Sequence, residues 1–272
     1  MKEFPLASQA GITKRSIRKA ISNGVNERDL FHFIHGDVNL IHSELPKASG
    51  FQPWETTGKR YVHIEEARFV ARHFLRNGIQ PSSRKALVLA GTDPALACLP
   101  WAMSGIASRF VAYENDYEAH YRARRNLSNE RRKVRSRLPA GREFRLKLIR
   151  GDVFEINGFD DFGVIDLDFC NNRLRNADAR EKLLSLIDRA SPLVGPFVLR
   201  TTLHMGRVDN SREDVERHIE KFEKEIRDPR DPDFQSYRIR ASDRSPYQSS
   251  LPMVSLVWIL ERQPEKERGE VE

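Results

Sequence analysis

Phe162-Gly163-Val164-Ile165-Asp166-Leu167-Asp168-Phe169 is the stretch that decides the fold. A short, continuous apolar run has the pattern of a strand buried on both faces, as in parallel sheets covered by helices. This run closes on two carboxylates, and a charge withdrawn from water at the end of such a strand needs a partner. In doubly wound sheets ligands bind outside the carboxyl ends of the strands, so Asp166 and Asp168 mark a candidate site as well as a fold.

Working outward, similar apolar runs fall at 86–90, 110–114, 145–150 and 197–202, with helical patterns between them at 95–104, 117–129 and 177–190. Strands alternating with helices build a parallel sheet. After a charged helix at 211–225, runs at 236–241 and 253–260 flank a polar connection and read as an antiparallel pair on the sheet edge. The expected fold is α/β: a doubly wound, mainly parallel seven-stranded sheet with a C-terminal antiparallel hairpin, spanning 81–262. Residues 1–80 read as a small helical N-terminal segment, with helices at 8–23, 27–34 and 63–77 and a Gly- and Pro-containing loop through residue 61. Residues 263–272 form a charged tail. Gly11, Thr13, Lys14, Arg15 and Arg18 loosely resemble part of a helix-turn-helix; an amphipathic helix packed on the main domain is the simpler reading.

The chain has 272 residues, long enough for one large α/β domain or a smaller one with an appendage. Its longest apolar runs, such as 253–260, fall far short of the roughly 20 residues of a membrane span. Two distant cysteines make no disulfide framework, and the N-terminus lacks an apolar signal core, so a reducing, cytoplasmic setting is expected. The net charge of +7 is uneven: between Arg122 and Arg150 stand 12 Lys/Arg against Glu130 and Glu143, so the rest of the chain is slightly acidic. Such a local excess suits a surface that meets phosphates. Arg124, Arg125, Arg131, Arg132, Lys133 and Arg135 are the nucleic-acid-binding candidates; a solvated basic helix without a partner is the alternative.

Each strand end offers chemistry. After the first comes Ala90-Gly91-Thr92-Asp93, a turn into a helix whose free amides can face a ligand. The second ends in Glu114-Asn115, 24 residues beyond Ala90, where a carboxylate can accept hydrogen bonds from both ribose hydroxyls of a nucleoside cofactor. The third ends in Asp152-Val153-Phe154: Asp152 could accept from an adenine amino group, with Val153 or Phe154 flanking the ring, or simply cap a helix.

The order and spacing of these strand ends over residues 84–260 resemble class I (Rossmann-like) S-adenosylmethionine-dependent methyltransferases. Asp166-Leu167-Asp168-Phe169 is similar to the fourth motif of those acting on exocyclic nitrogens of nucleic acid bases, in particular the Asp-Leu-Asp-Pro-Phe type of tRNA guanine-N2 dimethyltransferases. Two departures stand out. Ala90 occupies the place of the usual acidic residue of the first motif, and Cys170-Asn171-Asn172 follows Phe169 with no proline in the motif.

The resemblance implies S-adenosylmethionine as cofactor, held by Ala90, Gly91, Thr92, Asp93, Glu114, Asn115, Asp152 and Val153. It also implies a catalytic group of Asp166 or Asp168, orienting the attacking amine, with Phe169 stacked on a base. RNA is expected slightly ahead of DNA as substrate. Cys170 could serve as a thiolate nucleophile, though it lacks the Pro-Cys context of such enzymes, and a buried structural cysteine is commoner. His32, His35 and His42 have no regular ligand spacing, so no metal is expected. The alternatives are a protein or small-molecule methyltransferase and a non-catalytic nucleic-acid-binding protein that keeps the fold.

Overall fold

The computed structural model describes residues 57–91, 94–138, 142–156, 161–169, 173–204, 212–229, 234–248 and 252–264. The helices expected at 8–23 and 27–34, the three histidines beside them, and Thr92, Asp93, Cys170, Asn171 and Asn172 lie outside these residues. So does the tail from 265 onward.

A helix, α1 (Thr57–Asn77), leads into β1 (Lys85–Leu89), α2 (Pro94–Met103), β2 (Arg109–Glu114), α3 (Tyr117–Arg137) and β3 (Arg145–Arg150). Then follow β4 (Val164–Leu167), α4 (Ala177–Ala190), β5 (Pro196–His204), α5 (Arg212–Arg227), β6 (Tyr237–Gln248) and β7 (Pro252–Arg262). The seven strands form one sheet in the order β3-β2-β1-β4-β5-β7-β6. The first five are mutually parallel, while β7 runs antiparallel to β5 and to β6. The expected layout, five parallel strands followed by an antiparallel hairpin, is therefore the one observed.

Alternation along the strands assigns the two faces. Ala86, Val88, Phe110, Ala112, Val164, Val198 and Val257 pack with α1, α2 and α3, whereas Leu87, Ile165, Leu167, Leu199, Leu256 and Trp258 pack with α4 and α5. All four residues of β4 are buried, which is why its sequence is a run rather than an alternation.

Three elements differ from the sequence reading by more than two residues at one end. Helix α1 starts at Thr57, within the expected loop, because contacts of its first turns with the sheet override the poor propensity of Gly58. Helix α3 continues eight residues past the expected end. Ala123, Glu130, Val134 and Leu138 keep one buried stripe in place beneath an otherwise charged surface. Strand β6 runs on to Gln248 through residues read as a polar connection. It is the outermost strand, so its alternate side chains face water and Pro246 need not donate to a further neighbour.

Gly163 stitches three strands together. Its N–H donates to the Lys85 carbonyl (2.9 Å) and its own carbonyl accepts from Val198 N–H (2.9 Å). A Cβ at this position would lie 2.0 Å from the Ser83 backbone oxygen. Backbone cannot swing away as a side chain can, so Gly163→Ala should lower unfolding free energy by about 3 kcal/mol, measured by urea denaturation. An unchanged midpoint would contradict this packing.

Candidate active site

The carboxyl ends of β1, β2, β3 and β4 meet at one edge of the sheet, and the two faces of that edge differ in chemistry. On the α4 side, Leu89, Tyr113, Phe154 and Phe169 are partly buried side chains packed over the core. Phe154 and Phe169, from the turns after β3 and β4, are stacked with centroids 5.5 Å apart and planes at 12°. Val153 is buried, so of the pair expected to flank a ring only Phe154 keeps a partly exposed side chain. Asp152 caps the single helical turn Val153–Glu155, accepting from Phe154 N–H at 3.0 Å, so its alternative role as a cap is realised.

Glu114 stands between β1 and β2. Its carboxylate accepts from the amide of Asp116 (2.9 Å), and the nearby amides of Gly91 and Asn115 also favour its charged form. Burial, the largest influence, pushes its pKa above the usual carboxylate value against the pull of these amides. Gly91, with φ of +54°, takes the left-handed conformation that turns the chain after Ala90 and points its amide at Glu114. Ala90 itself is buried and Asn115 exposed. Asp116 then caps α3 through Ala119 N–H (2.7 Å).

The opposite face of the edge is charged. Arg200 of β5, with 1% of its side chain exposed, donates Nε to Glu66 Oε2 (2.6 Å) and Nη1 to Asp166 Oδ1 (2.9 Å). Asp166 Oδ2 receives Trp101 Nε1 (2.8 Å) and lies 3.1 Å from His63 Nε2. Glu66 Oε2 also accepts from Ser255 Oγ (2.9 Å). One step nearer the solvent, Asp168 accepts from Thr202 Oγ1 (2.7 Å) and pairs with Lys59 Nζ (2.7 Å), with Arg200 at 3.7 Å. Asp166 is paired with Arg200 in the β4–β5 register, and residues two apart on a strand share a face. Asp168 and Thr202 repeat the pairing one layer up. Lys59, His63 and Glu66, at i, i+4 and i+7, present one face of α1 to this ladder.

The two strand-end carboxylates are thus not equivalent. The sequence leaves the attacking amine to Asp166 or Asp168, but for Asp166 the protein supplies its own cation. Burial would raise the Asp166 carboxyl; Arg200 first and His63 next outweigh it and hold its pKa at about 2. Both its oxygens meet protein donors, which makes Asp166 an anchor. Asp168, with 14% of its side chain exposed, is the carboxylate at the mouth. Burial, then Arg200, lowers the His63 pKa, so the imidazole is neutral at pH 7 and its contact with Asp166 is no ion pair. The sequence reading missed Lys59, His63, Glu66, Trp101, Arg200, Thr202 and Ser255. An arginine inside the apolar run Phe197-Val198-Leu199-Arg200 was the available signal.

The basic candidates also divide. Arg124, Arg125 and Arg132 are exposed on α3. Arg131 donates to the Leu146 carbonyl and Arg135 to that of Phe144 (3.4 Å), while Lys133 pairs with the buried Glu130 (3.0 Å). Arg145 N–H donates to Ser108 of the β2 side, so the neighbouring carbonyls of Phe144 and Leu146 point to the open edge of the sheet. Arg131 and Arg135 therefore blunt an edge strand, a structural duty distinct from the phosphate contact expected of them.

No protein-family model matches the chain, and neither does any curated protein sequence. Solved structures resemble it in fold. TYW2 of P. horikoshii, in complex with MeSAdo, is 13% identical over 74% of this chain and 63% of that one, with a TM-score of 0.44. TYW2 of M. jannaschii, in complex with AdoMet, is 13% identical over 80% of each chain, with a TM-score of 0.43. The O-methyltransferase from Bacillus cereus, in complex with SAH, is 15% identical over 92% of this chain and 98% of that one, with a TM-score of 0.43. The chain thus spans under two thirds of the P. horikoshii protein. At such identities and TM-scores the likeness fixes neither the family nor the ligand of this chain. Among the described residues no group of three or more His, Cys, Asp or Glu could hold a metal ion, and no helix is long and apolar enough to cross a membrane.

Glu66 carries the pH dependence of the ladder. Burial outweighs the attraction of Arg200 and raises its pKa from 4.5 to about 7. Oε1, which meets no hydrogen-bonding partner among the described residues, is left to carry the proton. A carboxyl whose folded pKa is raised adds stability below the unfolded pKa of 4.5 and loses it as pH climbs toward 7. His63 works in the opposite direction, so the group is isolated by comparison with Glu66→Gln. The stability of wild type minus that of Glu66→Gln, from denaturant midpoints, should fall as pH rises from 4.5 to 7; a rise would show that the fold prefers the ionised form.

Proposed function

We propose that this chain is an S-adenosylmethionine-dependent methyltransferase acting on an exocyclic amine of a nucleic acid base, with RNA favoured over DNA. The observation that carries the reading is the pairing, on one sheet edge, of a half-buried carboxylate beside the first turn with a second carboxylate two strands away. Glu114, which accepts from the Asp116 amide, lies beside the turn where a nucleoside ribose is held in doubly wound sheets, and still has acceptor capacity for hydroxyls. Leu89, Tyr113 and Phe154 offer the apolar surface an adenine ring needs, with Asp152 and the main chain of Val153 at its edge. Residues 90–93, after β1, complete the proposed cofactor contacts. These donor and acceptor types fit S-adenosylmethionine, which supplies an electrophilic methyl group when bound.

The protein's own part is orientation. Asp168 accepts a hydrogen bond from the substrate amine and aims its lone pair, with Thr202 and Arg200 fixing the carboxylate. Lys59 occupies that carboxylate in the present structure, so the substrate amine replaces an ammonium the site already accommodates. Phe169, backed by Phe154, offers its remaining surface to the base. Asp166 positions Arg200 and touches no reactant.

Methylation of a protein or small molecule is the competing reading. It is favoured by one observation, the commitment of Arg131, Lys133 and Arg135 to the protein itself. Calorimetric titration with S-adenosylmethionine should give micromolar binding that Glu114→Ala weakens at least tenfold and Asp168→Asn leaves intact. Methyl transfer to RNA should fall at least 100-fold in Asp168→Asn. An Asp168→Asn variant of full activity would remove Asp168 from the mechanism, and wild type that binds no S-adenosylmethionine would overturn the methyltransferase reading in favour of a non-catalytic protein.

A further inference from the structure

Two large side chains stand out of the water-facing surface of α3: Tyr117 is 57% exposed and Tyr121 49%. They are one turn apart on the same helical face, and each ring carries a guanidinium. The Arg150 Cζ lies 4.9 Å from the Tyr117 centroid and the Arg125 Cζ 5.8 Å from that of Tyr121. The first pair is tertiary, since Arg150 comes from the end of β3 rather than from the helix. Continuing at the same spacing, the stripe runs through Arg124, Ser128 and Arg132, all exposed. The acids nearest in sequence are Glu114, which accepts from the Asp116 amide, Asp116, whose carboxylate caps α3, Glu118, and Asp152, which caps the turn after β3. An exposed aromatic on a helix otherwise covered by charge gains no burial, and an isolated tyrosine would need no explanation. A row of two rings interleaved with arginines is the composition that binds unpaired bases by stacking and their phosphates by charge.

Position ties the stripe to the proposed site. Tyr117 is three residues beyond Glu114, in the first turn of α3 at the carboxyl edge of the sheet. Strands β2 and β4 are two steps apart in the sheet, roughly 10 Å. A few nucleotides of extended strand cover that span.

We infer that Tyr117 and Tyr121, with Arg150, Arg125, Arg124 and Arg132, form a stacking platform for an unpaired stretch of RNA flanking the base presented to Asp168. RNA is the source committed to because its loops and ends are where proteins meet unstacked bases, whereas duplex bases leave no face for a tyrosine. The inference rests on the nucleic-acid reading proposed above and names the form of substrate that reading would take. None of the six residues belongs to the proposed cofactor or amine contacts.

The test is fluorescence anisotropy of full-length protein with a labelled, unstructured single-stranded RNA of mixed sequence, the matching RNA duplex and the matching single-stranded DNA. S-adenosylmethionine affinity is measured in parallel by calorimetry. Single-stranded RNA should bind tightest, with an affinity that falls steeply with salt. Tyr117→Ala and Tyr121→Ala should each weaken it about fivefold to 100-fold, while Tyr117→Trp and Tyr121→Trp, which keep a stacking face, should hold it near wild type. Cofactor affinity should not move in any of the four. Alanine variants that bind RNA as wild type does, duplex RNA or DNA bound as tightly as single-stranded RNA, or polyglutamate competing as well as RNA would each overturn the platform. Failure of wild type to bind S-adenosylmethionine while RNA binding follows the tyrosines would instead overturn the methyltransferase reading and leave the platform standing.

Discussion

A guanidinium buried among three carboxylates is the interaction on which the architecture of the sheet edge depends. Arg200 joins β5 to β4 through Asp166, to α1 through Glu66, and to the solvent-facing layer through Asp168, while Ser255 brings β7 to the same Glu66 oxygen. Withdrawing one such charge from water costs several kcal/mol, roughly, and only well-aligned partners repay it. The network joins four elements distant in sequence, α1, β4, β5 and β7, so it is satisfied in one arrangement of helix and strands. Burial would lower the Arg200 pKa, and the three carboxylates raise it well above its usual value, so the cation persists at every pH at which the protein folds. With its pKa raised to about 7, Glu66 is partly protonated at neutral pH, which with a neutral His63 and the Lys59–Asp168 pair limits the net charge of the cluster.

This ladder grades the edge from dry to wet. Val164 and Val198 sit in the apolar layer, Asp166 and Arg200 in the next, and Asp168 and Thr202 at the mouth. The inner layer fixes the strand ends that the outer layer uses, which is why a carboxylate with modest exposure can be held in one orientation for a substrate. Farther along the edge, at the end of β2, Glu114 accepts from the Asp116 amide rather than from a counter-ion, leaving a carboxylate suited to neutral hydroxyl donors. One edge thus offers two acceptors of different electrostatic character, as the proposed transfer between two substrates would use.

Much of the architecture was legible in the sequence because it depends on burial pattern. The run 162–168, the alternation of strands with helices and the Met253–Leu260 segment led to the sheet as built, including its antiparallel hairpin. Legibility failed where tertiary contact overrides local signal. Residues of β6 such as Asp243 and Arg244 look like loop because one face of an outer strand is water, and α1 begins in a Gly-containing stretch because Lys59 reaches Asp168. At the site, the need for a cation beside Asp166 and Asp168 was readable, but its source was not: Arg200 lies 34 residues from Asp166, and Glu66 a further hundred away in sequence. Likewise, a count of basic residues in 122–150 cannot distinguish Arg131, half-buried and donating to the Leu146 carbonyl of β3, from Arg124 and Arg125, which face water.

The most direct measurement is a crystal structure of the protein grown with S-adenosylhomocysteine. The proposed function predicts ribose hydroxyls against the Glu114 carboxylate, the adenine beside Phe154 and the sulfur facing Asp168 across the ends of β1 and β4. A nucleoside bound away from Glu114, or a ribose whose hydroxyls meet other groups, would contradict it.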